Sequence, residues 1–113
     1  MNTTTTQTQA KHPLNEKLVG IINSSPVVIF MKGTTQFPQC GFSAKSLQVL
    51  KAAGVTNPVG VDVLSDDPLW DALEAHTQWP TVPQIFIKGE FVGGCDIITE
   101  MYEKGELVEL LKA

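Results

Sequence analysis

Val27-Val28-Ile29-Phe30-Met31 runs into a polar loop, Lys32-Gly33-Thr34-Thr35-Gln36-Phe37-Pro38-Gln39, and then into Cys40-Gly41-Phe42-Ser43. The first five residues are a continuous apolar run rich in β-branched side chains, which suits a central strand covered on both faces. The loop, carrying Gly33 and Pro38, ends it. From Ser43 onward, Leu47, Leu50 and Ala53 recur at helical spacing until Gly54, a C′ stop. Strand, loop and helix together put Cys40 where a helix begins. Unpaired N–H groups and the helix dipole favour an anion there, so the thiol is expected to ionise more readily than a free cysteine. A lone cysteine is otherwise most often a small buried hydrophobe. Here Pro38 and Gly41 bracket the sulfur, and Gly41 lets backbone or ligand come close.

The same periodicities extend outward. Leu14, Leu18, Ile21 and Ile22 mark an amphipathic helix, stopped by Asn23-Ser24-Ser25-Pro26. Val59, Val61 and Val63 alternate and predict a second strand. Asp66-Asp67-Pro68 predicts a capped helix start, with the helix passing Leu69, Trp70 and Leu73 to about His76. Trp79-Pro80-Thr81-Val82-Pro83 is a rigid turn. Ile85-Phe86-Ile87 and Phe91-Val92 flank Lys88-Gly89-Glu90, a hairpin pattern. Gly93-Gly94 leads to a helix carrying Ile97, Ile98, Met101 and Tyr102. Gly105 breaks it, and Leu107, Leu110 and Leu111 form a last short helix. The order α-β-α-β-α-β-β-α-α implies an α/β fold, a mixed sheet with helices on both faces. Met1 to His12 hold Thr and Gln with few apolar residues. Residues 1–13, closed by Pro13, read as a disordered tail, and 14–113 as one domain.

Composition narrows the function. The 113 residues carry a formal net charge of −4, with 42% hydrophobic and 18% charged side chains, as in an ordinary soluble domain. All eight cations are lysine, so an anion is held by Lys, backbone N–H or a helix end rather than by an Arg fork. The acidic balance argues against a nucleic-acid partner. Cys40 and Cys95 are too few for a disulfide framework or a self-contained tetrahedral metal site. No apolar run approaches the roughly 20 residues of a membrane span. The first residues have neither a secretory nor a transit-peptide pattern. The expectation is a reducing, cytoplasmic compartment with no membrane partner. His12 and His76 are not expected to be ligands.

Lys32-Gly33-Thr34, Cys40-Gly41-Phe42-Ser43, Trp79-Pro80-Thr81-Val82-Pro83 and Gly93-Gly94-Cys95-Asp96 resemble, in order and separation, the four motif blocks of monothiol glutaredoxins. The resemblance covers about residues 14 to 113. It implies a thioredoxin-like fold with a four-stranded mixed sheet flanked by helices, and a cis Pro83. Ser43 stands where dithiol relatives carry a second cysteine, so no disulfide forms within the motif. The resemblance further implies a 2Fe–2S cluster bridged by a homodimer. Cys40 of each chain and the thiol of each bound glutathione would supply the four ligands. For glutathione, Lys32 matches the lysine that pairs with the glycine carboxylate. Val82 matches the residue whose backbone pairs with the cysteinyl amide, and Cys95 and Asp96 match the pair that holds the γ-glutamyl end. Phe42 would pack beside the cluster. Partners implied are iron–sulfur acceptor apoproteins and BolA-type proteins.

The chain departs from that pattern at Trp70, where family members often carry an arginine. Lys32 is then expected to bear the carboxylate pairing alone, or with help from Gln39 or the Thr77-Gln78 stretch. Trp70 itself also reads as a half-exposed helix residue covering apolar surface. Cys95 has three readings: a helix-start residue whose backbone touches glutathione, a resolving thiol for oxidised Cys40, or an inert side chain. Three functions compete. They are an iron–sulfur scaffold or carrier, a glutathione-dependent oxidoreductase that removes glutathione from mixed disulfides through Cys40, and an interaction module with an idle thiol.

Overall fold

A computed structural model describes residues 12–113. Its helices are α1 (Asn15–Ile22), α2 (Gly41–Ala52), α3 (Asp67–Thr77), α4 (Cys95–Glu103) and α5 (Glu106–Lys112). Its strands are β1 (Val27–Met31), β2 (Val59–Asp62), β3 (Gln84–Ile87) and β4 (Glu90–Gly93). The strands form one sheet in the order β2-β1-β3-β4, with β1 parallel to β2 and antiparallel to β3, and β3 antiparallel to β4. The four-stranded mixed sheet expected from the pattern of elements is therefore present.

All five β1 residues are buried because side chains alternate between two covered faces. Val28 and Phe30 join Leu18, Ile22, Leu69, Leu73 and Phe86 on the face covered by α1 and α3. Val27, Ile29 and Met31 join Leu50, Ile85, Ile98 and Leu107 on the face covered by α2, α4 and α5. Phe30 and Phe86 meet edge to face, with ring centroids 5.5 Å apart. Lys88 and Gly89, both at positive φ, close the β3–β4 hairpin.

The hairpin strands each run slightly longer than the sequence expectation, taking in Gln84, Glu90 and Gly93, and two further boundaries differ. The helix after Cys40 starts at Gly41 rather than Ser43. The second strand stops at Asp62 instead of reaching Val63. There the Asp62 carboxylate accepts from the Leu64 amide at 2.9 Å and turns the chain into a 3-10 helix, Val63–Ser65. Most of the expected tail lies outside the described residues. His12 and Pro13 lie within them, in a turn where the His12 carbonyl accepts from the Asn15 amide at 2.9 Å. Among the described residues no helix is long and apolar enough to cross a membrane.

Candidate functional site

Three chain segments converge at one end of the sheet. The first is the β1–α2 connection. Gly33 lies at φ +88°, and the loop folds back on itself through Gln39 N–H to Lys32 C=O at 2.9 Å and Thr34 N–H to Phe37 C=O at 3.2 Å. The Asp62 carboxylate accepts from the Gly33 amide at 3.0 Å, which pins the loop to the end of β2. This closed loop delivers Cys40, in extended conformation, to the N-cap of α2.

The Cys40 thiol makes no formed capping bond. The Ser43 amide faces the sulfur, however, and is the chief cause of a pKa held below the ordinary thiol value. Partial burial opposes that shift, while the Phe42 amide, the Lys32 charge and the Ser43 hydroxyl add to it. The thiolate is thus suited to the N-cap acceptor role that the neutral thiol leaves open. Ser43 itself is fully buried, and its Oγ accepts from the Lys32 amide at 3.3 Å.

The second segment is Trp79–Pro83, with a cis Val82–Pro83 bond. The side chain of buried Gln84 holds it, donating from Nε2 to the Trp79 carbonyl at 2.9 Å and the Thr81 carbonyl at 3.0 Å. The third segment is Gly93-Gly94 and the start of α4. A Cβ on Gly94 would lie 3.2 Å from the Pro83 carbonyl oxygen, so the two segments pack backbone to backbone. Gly94 is the N-cap of α4 and offers no side-chain acceptor. The first amides of α4 therefore face the site as donors for an anion. Asp96 is exposed in that first turn.

Between these segments lies a groove of about 600 Å³. Lys32, Cys40, Phe42, Val82, Cys95 and Asp96, the six residues singled out from sequence, all line it. Phe42 is 63% exposed beside the sulfur, and Cys95 is buried with its Sγ 4.0 Å from Thr99 Oγ1. Both cysteines are free thiols. Among the described residues no three His, Cys, Asp or Glu side chains gather as a metal site.

The glutaredoxin family profile matches residues 27–92. The chain belongs to the glutaredoxin family. Its relatives place it on the monothiol branch, in keeping with Ser43. Glutaredoxin 4 of Haemophilus ducreyi is 44% identical over 98 residues, covering 86% of this chain and 90% of that protein. The mitochondrial monothiol glutaredoxin-S4 of Oryza sativa subsp. japonica is 53% identical over 91 residues, covering 80% of this chain and 48% of its own length. The chain spans less than half the length of several curated plant relatives that it matches, and as little as 21% of one. Among solved structures, a buckwheat glutaredoxin–glutathione complex is 28% identical with a TM-score of 0.78, covering 96% of this chain and 94% of that one. These likenesses bear out the thioredoxin-like fold.

In this glutaredoxin the expected helpers of Lys32 do not line the groove. Thr77 Oγ1 donates to the Leu73 carbonyl and Gln78 Nε2 to the Ala75 carbonyl, so both side chains finish α3 instead. Gln39 packs with its Cγ against Gly33, within the loop. Trp70 is the residue that meets Lys32: the Lys32 ammonium sits 5.9 Å from the ring centroid. Trp70 also packs against the α1–α3 core and lines the groove, so it covers apolar surface and belongs to the site as well.

Sequence reasoning missed Gln84 and Asp62. A lone amide opening the apolar run Ile85-Phe86-Ile87 was the available sign of the first. Nothing local marks the second.

Proposed function

We propose that this chain binds glutathione along the groove and, as a homodimer, carries a 2Fe–2S cluster to acceptor proteins. The observation that carries the proposal is the placement of Cys40. It is a thiol with lowered pKa at the mouth of a groove, while Ser43 replaces a second thiol and Cys95 is buried. Such a cluster needs four thiolate-type ligands. One chain offers a single accessible sulfur, so the other ligands come from a second chain and from two bound glutathione thiols. The residues fit that demand. Lys32 offers a cation to the glycyl carboxylate. The amides at the start of α4 and the Asp96 carboxylate offer partners to the γ-glutamyl carboxylate and ammonium. Exposed Phe42 gives the sulfur an apolar neighbour.

Anaerobic reconstitution with iron, sulfide and glutathione, read by visible absorption and gel filtration, tests this. The expected product is a coloured dimer that needs both glutathione and Cys40. No coloured species, or one that forms equally well with Cys40→Ser, overturns the proposal.

The lowered thiol pKa also supports a second reading, glutathione-dependent thiol exchange. The Cys40 thiolate attacks the glutathionyl sulfur of a mixed disulfide and releases the target thiolate. A second glutathione then attacks the Cys40–glutathione disulfide, freeing Cys40 and leaving oxidised glutathione. A strong glutathione-coupled reductase rate without a stable cluster favours this reading.

A further inference from the structure

The Lys32 end of the groove is built from one cation and one aromatic face. Among the described residues Lys32 is the sole cation lining the groove, and its ammonium already lies over the Trp70 ring at 5.9 Å. Beyond Trp70 and Pro80, which it shares with the groove, a hollow of about 340 Å³ is lined by Asp67, Asp71 and Glu74. None of the three carboxylates has a lysine within salt-bridge distance among the described residues.

We infer that Trp70 is a specificity-determining residue: it lets the site accept glutathione whose glycyl carboxylate is blocked as an ester or amide nearly as well as glutathione itself. The inference rests on the glutathione reading and adds a substrate class to it.

Three physical points lead there. First, a carboxylate arriving at Lys32 meets an ammonium already attracted to an indole face, so only part of the usual pairing is gained. No arginine is available to add a bidentate grip. Second, the three carboxylates on α3 set a negative field beside the position that a glycyl carboxylate would take. Third, deleting one half of an ion pair is costly mainly because the other half is stranded. Here a blocked ligand strands nothing, since Lys32 keeps the Trp70 ring. Removing the ligand's charge is therefore expected to weaken binding only about fivefold, the scale of a half-exposed ion pair.

The experiment is calorimetric titration of the full chain with glutathione and, separately, with its glycyl monoethyl ester. The same titrations follow on Trp70→Arg and on Trp70→Leu. The native chain should prefer the acid by less than about tenfold. Trp70→Arg should raise that preference several-fold by tightening the acid. Trp70→Leu keeps apolar bulk but removes the ring face that competes for the ammonium, so the acid pairs more fully and the preference should also rise. A merely structural Trp70 would weaken both ligands alike and leave the ratio unchanged, which overturns the inference. A native preference above about tenfold overturns it too. Binding of neither ligand to the native chain removes the glutathione reading and this inference with it. Binding of both with a large ratio removes this inference alone.

Discussion

The hydroxyl of Ser43 accepts a hydrogen bond from the Lys32 main-chain amide at 3.3 Å, joining the end of β1 to the first turn of α2. Ser43 is fully buried and Lys32 partly so, which shields this bond in part from bulk water. The residue that replaces a second thiol thus helps fix where Lys32 stands relative to Cys40. Ser43→Ala should lower folding stability by about 1 kcal/mol, because the Lys32 amide loses its acceptor. Urea denaturation measures it, and an unchanged midpoint would show that the bond contributes nothing.

The thiol of Cys40 should titrate below the ordinary cysteine range. Iodoacetamide alkylation followed against pH should reach half its maximum rate correspondingly early. The Ser43 amide is the largest cause and Lys32 a lesser one. Lys32→Met should therefore move the profile upward without restoring the ordinary value. The sign also bears on stability. A pKa lowered by folding means that stability rises with pH from the folded value up to the unfolded one and is then retained. Cys40→Ser should remove that rise, read as the difference in denaturation midpoint across that window.

The sheet was legible in the sequence because β1 is apolar at every position and the helices keep a period near 3.6. The second strand was overread for a physical reason. Val63 continues the alternation of Val59 and Val61, but the Asp62 carboxylate captures the Leu64 amide and ends the strand. The site was legible as four separate blocks, and the groove joins residues from all of them. The resemblance set Trp70 and Lys32 at one position for a carboxylate, but the contact of the ammonium with the ring was not legible. It joins the end of a central strand to a helix far along the chain, and no local pattern encodes such a pair.

Gly33 is required by shape as well as by conformation. Its φ of +88° disfavours any side chain, and a Cβ there would lie 2.5 Å from the Phe37 carbonyl oxygen and 2.6 Å from the Gln39 amide nitrogen. Both atoms are backbone and cannot swing aside. Gly33→Ala should cost about 1–3 kcal/mol and open the loop that presents Cys40. Thermal unfolding should show the loss, and the alkylation profile of Cys40 should shift toward that of an ordinary thiol as the Lys32 charge moves away.

Gln84 offers the sharpest separation of stability from binding. Its Nε2 donates to both the Trp79 and Thr81 carbonyls, while its buried Oε1 has no partner. The amide cannot be reversed, because its oxygen would then face two carbonyl oxygens. Gln84→Leu removes two hydrogen bonds and one orphaned acceptor together. The stability losses partly cancel, and the net cost should be about 1 kcal/mol rather than the sum of two bonds. The loop that carries Val82 loses both of its bonds to Gln84, however, and keeps only the Trp79 amide's bond to Thr77 Oγ1 among its side-chain ties. Glutathione affinity should therefore fall about tenfold or more, well beyond the change in denaturation midpoint. Gln84→Glu should be worse on both counts, since an ionised carboxylate there faces the same two carbonyls without a donor. If Gln84→Leu lowers stability and leaves calorimetric affinity intact, the side chain supports the fold and has no part in placing the groove wall.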